Sequence, residues 1–286
     1  MEQAYHILLI GYLIVPMIYI TYCLLKDKKE KATFPKVNWY QTINTAIVYA
    51  LSFNLIFFWQ ELWLFLGKHA IGLTAYLYHN NHGWEGQDER AALMQGSGAL
   101  AILFFGTICF FYSRSNPGNS WRKKLVLWLG INGLTMGLPQ IQTAGIARDT
   151  DVGQAFAYLG VGSITAFLLA LMSTLLLIGV LWVFFGKKGI SDFRPKRDFK
   201  RAVVEIILPL ALGTVIIFPF RIFPWHQIVY PVMHFVIIAP WILFLQTVSK
   251  SNRVSSENRT LQIVPVCVLL GLLLVFHLVL SPGIVW

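Results

Sequence analysis

The sequence predicts an all-α fold: a polytopic transmembrane bundle of about eight helices forming a single integral membrane domain. Three observations carry that expectation. Of 286 residues, 56% are apolar and only 13% are charged, whereas soluble domains carry about a quarter charged residues. Eight apolar stretches approach the ~20 residues that a helix rising about 1.5 Å per residue needs to cross about 30 Å of hydrocarbon. The loops between them alternate between rich and poor in lysine and arginine. An aromatic content of 15% excludes a disordered chain, and three scattered cysteines exclude a disulfide-built module.

The expected spans cover residues 4–25, 41–66, 91–111, 125–146, 155–185, 202–220, 227–248 and 261–280. The first carries Glu2 and lacks both a basic leader and an Ala-x-Ala site, so it reads as a span and not as a cleaved signal peptide. In the third, Gln95-Gly-Ser-Gly98 offers a close-packing surface; in the fourth, so does Gly133-x-x-x-Gly137, before Pro139 interrupts the backbone ladder. The fifth is long enough to tilt or to break near Gly160-Val-Gly162. Pro209, Pro219, Pro231 and Pro240 predict kinks in the sixth and seventh. The eighth, mostly Leu and Val, reads as lipid-facing.

Nineteen of the 23 basic residues fall in the loops after the first, third, fifth and seventh spans. Lys68, Arg90, Arg148 and Arg221 are the four on the other side. Basic loops stay cytoplasmic, so both termini are expected to be non-cytoplasmic, in the cell membrane (inner or plasma). The net charge of +10 follows from this placement. Basic residues at span ends mark topology and attract anionic lipid; a nucleic-acid partner would want them interleaved with stacking aromatics on a soluble face. The partners expected are the bilayer and other membrane subunits, with no nucleic acid. Trp39, Trp84, Trp121, Trp225 and Trp286 lie near expected interfaces, and Cys23, Cys109 and Cys267 are isolated packing residues. Asn258-Arg-Thr260 matches a glycosylation pattern but falls on the expected cytoplasmic side.

All seven histidines fall in the outer half of this arrangement, with Glu85, Asp88, Glu89, Asp149 and Asp151. Imidazole and carboxylate ligate first-row metals or haem and relay protons. The densest segment is Tyr76-Leu-Tyr-His-Asn-Asn-His-Gly-Trp-Glu85. His79 and His82 would share one face of a helical turn, with Glu85, His69 and His234 as further metal-ligand candidates. A divalent metal or haem is the cofactor class such a set would take. The same segment also reads as an interfacial loop with turns at Asn80-Asn81 and Gly83. Asp149-Thr-Asp151 reads as a helix cap or as a hard-cation site, with capping preferred.

Glu61 is the ionisable residue set well inside a span, and a carboxylate there normally faces the bundle interior with a partner. Asn54, Glu61 and Lys68 recur by sevens on nearly one stripe. Glu61 is therefore the candidate general base or proton relay. Asn54, Gln60, Asn132, Thr135 and Gln142 form a candidate polar seam between the second and fourth spans.

The run Trp59-Gln-Glu-Leu-Trp-Leu-Phe-Leu-Gly-Lys-His69, followed by a Gln95-Gly-Ser-Gly-Ala-Leu span, resembles site-two-protease-type membrane metallopeptidases. In those, a His-Glu-x-x-His helix precedes a small-residue span and a later helix supplies an aspartate. The resemblance implies a shared helical core, with Glu61 at the catalytic position and Asp149 or Asp151 as the later acid. The two zinc-ligand positions hold Gln60 and Leu64, which implies lost zinc chemistry. With no complete catalytic motif, the expectation leans away from an enzyme and toward a non-catalytic multi-pass protein: a complex subunit or degenerate peptidase relative. A metal- or haem-dependent enzyme with its site at the outer face is the second expectation. A transporter or channel using the seam is the third.

Overall fold

A computed structural model describes residues 2–29, 33–116, 120–186, 199–221, 225–248 and 260–286. The basic stretches at 187–198 and 249–259, with Asn258, lie outside the described residues. Seven of the described helices are long and apolar enough to cross a membrane. The chain is a membrane protein in that sense.

Helix α1 spans Glu2–Lys29 and α2 spans Trp39–Ala70, started by the Asn38 side chain accepting from the Gln41 amide at 3.2 Å. α2 is the axis of the bundle. Its most apolar window is 72% buried by protein, against 17% for α1 and 22% for the last helix, so those two present their apolar faces to lipid. After α2 the all-α expectation fails locally. Strands β1 (Thr74–Leu77) and β2 (His82–Glu85) form a hairpin in which Leu77 faces His82, and β3 (Ile284–Val285) pairs with the other edge of β1. The sheet order is β2-β1-β3, antiparallel throughout. The Tyr78 amide donates to the Asn81 carbonyl at 2.9 Å, closing the turn where Asn80-Asn81 predicted one.

The stretch expected as a third span is α3 (Arg90–Met94) continued by α4 (Gly96–Ser115), and that expected as a fourth is α5 (Trp121–Thr143), capped by Ser120. α4 and α5 approach until backbone meets backbone. A Cβ built on Gly133 would lie 2.7 Å from the Ile102 carbonyl oxygen and 2.8 Å from Gly106 Cα. The Gly-x-x-x-Gly pattern therefore does what its spacing predicts. α5 is long enough to cross but more polar than the seven apolar helices, because it carries the seam. Pro139 leaves α5 continuous, and the nearby Leu138 carbonyl is taken up by the Ser173 hydroxyl at 2.5 Å.

The stretch expected as a fifth span does break. α6 (Asp151–Tyr158) ends in a turn where Gly160 takes φ 61°, a left-handed value that glycine tolerates, and α7 (Ser163–Phe185) follows. The cap of α6 corrects the aspartate expectation: the Thr150 hydroxyl accepts from the Gly153 amide at 3.3 Å, and Asp151 is the first helical residue. The stretch expected as a sixth span runs through α8 (Phe199–Ala202), a π turn at Val203–Ile207, α9 (Leu208–Ile217) and a 3-10 turn at Phe218–Phe220. Pro209 and Pro219 mark two of those changes of winding. α10 (Val229–Val248) contains Pro231 and Pro240, and α11 (Ile263–Val275) ends in a second π turn at Phe276–Leu280.

The helix ends gather in two sets. At the hairpin end, Tyr5 of α1 packs edge-on against Phe167 of α7 at 5.4 Å, and the His277 ring meets the Pro219 carbonyl at 3.0 Å. The Ala75 amide donates there to the Trp286 carbonyl at 2.9 Å. At the opposite end, Asn44 at the start of α2 donates to the Thr260 carbonyl at 2.9 Å and accepts from the Gln262 amide at 2.9 Å. Cys23 of α1 packs there with Phe199, Ala202 and Leu243.

Candidate functional site

Ionisable side chains concentrate where the last turns of α2 meet the hairpin and the start of α4. Glu61 Oε2 lies 2.8 Å from His82 Nδ1, with the two side chains only 7% and 9% exposed. Strand alternation on β2 turns His82 and Trp84 to the same face, where their rings stack 6.0 Å apart at 13°. Two turns beyond Glu61, Lys68 is fully buried. Its ammonium donates to the Ala91 carbonyl at 2.8 Å and to Gln95 Oε1 at 3.0 Å, and it lies 4.4 Å from the Trp84 ring centroid. Gln95 Oε1 also faces His82 Nε2 at 3.1 Å. Gly98 lets α4 come this close, since a Cβ there would sit 2.8 Å from the Gln60 side chain.

Donor and acceptor accounting fixes the proton count of this cluster. An ammonium only donates, so the atom of Gln95 facing Lys68 is its oxygen, and His82 Nε2 must then donate to it. On the other side of the ring a carboxylate only accepts, so Nδ1 must donate as well. The ring is thus an imidazolium, or its Nδ1 proton sits on Glu61. Either way one proton is shared between Glu61 and His82. Burial works against a charged His82, but the hydrogen bond and charge of Glu61, with help from Asp151, outweigh it and raise the His82 pKa. Asp151 at the start of α6 feels the same cluster. Burial and Glu61 raise its pKa, while His82 and Lys68 oppose them.

Of the five seam candidates, Gln60 and Asn132 join α2 and α5 directly. Gln140 donates to Gln60 Oε1 at 3.0 Å and Asn132 donates to the Ser52 hydroxyl at 2.7 Å, joining α5 to α2. Thr135 uses its single hydroxyl proton on the Ile131 carbonyl at 2.7 Å. His234 Nε2, 2.8 Å from that hydroxyl, therefore donates to it, and His234 Nδ1 accepts from Tyr49 at 3.2 Å. Gln142 turns to α7 instead, donating to Thr174 at 2.8 Å, and Asn54 donates to the Ala50 carbonyl of its own helix.

The metal-ligand candidates do not gather. His79 and His82 sit on a hairpin, not a helical turn, and their rings part. His79 lies against Phe276 and His277, at ring separations of 5.4 and 6.1 Å, while His82 turns to Glu61. His69 packs edge-on to Trp286, Glu85 hydrogen-bonds Tyr76, and His234 is a neutral core histidine in the seam. Among the described residues no group of three His, Cys, Asp or Glu side chains is placed to hold a metal ion. At the positions that resemble a zinc motif, Gln60 is spent on Gln140, and Leu64 would meet a Cβ on Gly98 at 2.7 Å.

Sequence reasoning found Glu61 and named His82 but did not pair them, and took Gln95 only as part of a packing surface. Arg221 escaped it, counted as a loop charge. The available signal was its setting in Phe218-Pro-Phe-Arg-Ile-Phe-Pro224, an arginine embedded in an apolar run. Compared with protein-family models, curated proteins and solved structures, the chain matches none.

Proposed function

We propose that the protein is an eight-crossing transporter or channel of the cell membrane that exchanges protons at its extracytoplasmic end through Glu61 and His82. Eight crossings add α5 to the seven apolar helices, and the alternation of helix ends supports that count, as does the nineteen-to-four split of basic residues. The observation that carries the functional reading is the 2.8 Å contact between Glu61 Oε2 and His82 Nδ1 inside a site less than a tenth exposed. A protonated imidazole beside a carboxylate is a relay pair. From it the α2–α5 seam runs inward through Gln60–Gln140 and Ser52–Asn132 to Tyr49–His234–Thr135. Twelve residues of α2 separate Glu61 from Tyr49, about 18 Å along the axis. The test is proton flux into liposomes containing purified protein and an entrapped pH dye, driven by a potassium diffusion potential. Wild type should acidify the lumen and Glu61→Gln should not. Equal rates for wild type, Glu61→Gln and empty liposomes would end the transport reading.

A second reading is favoured by a different observation: the seam closes on itself. Asn132 with Ser52 and Gln142 with Thr174 satisfy one another inside the bundle, which suits a non-catalytic subunit whose Glu61–His82 pair latches the hairpin to α2. Kinship with the peptidases belongs to this reading, since Gln60 and Leu64 leave Glu61 no metal to serve. Native mass measurement in mild detergent would then find partner subunits, with no proton flux.

A further inference from the structure

Arg221 follows the 3-10 turn after α9 and is only 3% exposed. Its guanidinium carbon lies 3.7 Å from the Phe57 ring centroid and 5.4 Å from that of Phe53. Ring faces attract a guanidinium but offer no acceptor for its N–H groups. Nε and Nη1 are buried and find no hydrogen-bond partner among the described residues. Glu61, the nearby carboxylate whose charge Arg221 feels, is engaged with His82 and makes no ion pair with it. His79 stands beside this group, 5% exposed, with no well-aligned partner for either ring nitrogen. Burial and the Arg221 charge hold its pKa down to about 4, against the Phe220 backbone, which raises it, so the ring is neutral. The unpartnered Arg221 N–H groups and the neutral His79 ring thus lie close together, among Phe57 of α2, the hairpin turn and Phe276 beyond α11. A buried cation is retained when something pairs it, and no described residue does.

We propose that Arg221 and His79 form an oxyanion-binding site: the guanidinium receives a phosphate or carboxylate group presented from the hairpin end, and the His79 N–H adds a neutral donor. Arginine suits such a group because its planar fork matches the geometry of oxyanions, and the phenylalanine faces hold that plane in place. The oxyanion has two sources, a free solute or the headgroup of an anionic lipid, since this end lies at headgroup depth if the bundle spans the bilayer. The site uses residues other than the Glu61–His82 pair, so a failed proton-flux assay leaves it intact.

The test uses the full chain, delipidated in a neutral detergent, at constant ionic strength. Its unfolding midpoint is followed while inorganic phosphate, acetate or phosphatidylglycerol is added, with chloride and phosphatidylcholine as the respective controls. Occupancy should raise the midpoint by about 2 °C or more at saturation. A rise with phosphate or acetate assigns a free solute; a rise with phosphatidylglycerol alone assigns a lipid headgroup. Arg221→Met should abolish the rise and Arg221→Lys should retain a smaller one. If Arg221→Met does not fold, the wild-type titration and the Arg221→Lys comparison still decide. No rise with any probe in wild type, or an undiminished rise in either variant, overturns the site.

Discussion

Two buried histidines sit in regions with opposite proton chemistry. His234, in the middle of the bundle, and His82, at the hairpin end, are both nearly inaccessible, and each has both ring nitrogens engaged. Their partners differ. His234 lies between the Tyr49 hydroxyl, which donates, and the Thr135 hydroxyl, which accepts, so one ring proton satisfies everything. His82 lies between the Glu61 carboxylate and an amide oxygen, two acceptors, so the site demands a second proton. Burial alone would keep both rings neutral. The inventory of neighbours decides: it leaves a single ring proton in the middle of the bundle and makes the hairpin end a place where a second proton can be bound and lost.

The largest effect that would break this comparison comes from deleting the carboxylate. Glu61→Ala leaves His82 Nδ1 buried without its acceptor and should lower unfolding stability by about 3–5 kcal/mol. Glu61→Gln keeps an acceptor for His82 and should cost distinctly less. Denaturant titration in detergent compares the two, and equal losses would mean that the acceptor kept by Glu61→Gln does nothing for His82. The next effect is on pH dependence. Because the folded pKa of His82 lies above its unfolded value of about 6.5, its stabilisation is complete below that pH. It disappears as pH rises through the folded value. Glu61, Lys68 and Asp151 are the charged groups facing the ring. Wild-type stability should therefore fall as pH is raised from about 6.5, and Glu61→Gln should flatten that fall. A profile that rises with pH over the same range would contradict an imidazolium.

Much of this was legible in the chain, and the remainder was hidden for physical reasons. Apolar length predicted the helices, Gly160-Val-Gly162 the break between α6 and α7, and Gly133-x-x-x-Gly137 the close approach of α4 and α5, because each is a local property. Glu61 stood out because burying a carboxylate is costly. The sheet was not legible: its longest strands have four residues, and β3 joins β1 from the far end of the chain. Without the hairpin, His79 and His82 read as neighbours on one face, whereas the turn at Asn80-Asn81 sends one toward Phe276 and the other toward Glu61. Gln95 and Lys68 acquire meaning only once α4 lies against α2. Arg221 needed the packing of Phe53 and Phe57 around it before it could be seen as a buried charge.

The smallest effect tests the neutral half of the comparison. Tyr49→Phe removes the donor to His234 Nδ1 while keeping the aromatic ring that packs edge-on against Trp128, 5.1 Å between centroids. The ring nitrogen is then a buried acceptor without a donor, a loss of about 1–3 kcal/mol. Because His234 carries one proton before and after the change, the loss should be the same across the pH range in which wild-type stability falls. Parallel unfolding curves for Tyr49→Phe and wild type against pH are the expected result. A loss that grows or shrinks with pH would mean that the seam, too, takes up a proton. The contrast between a ring that keeps one proton and a ring that gains a second would then be lost.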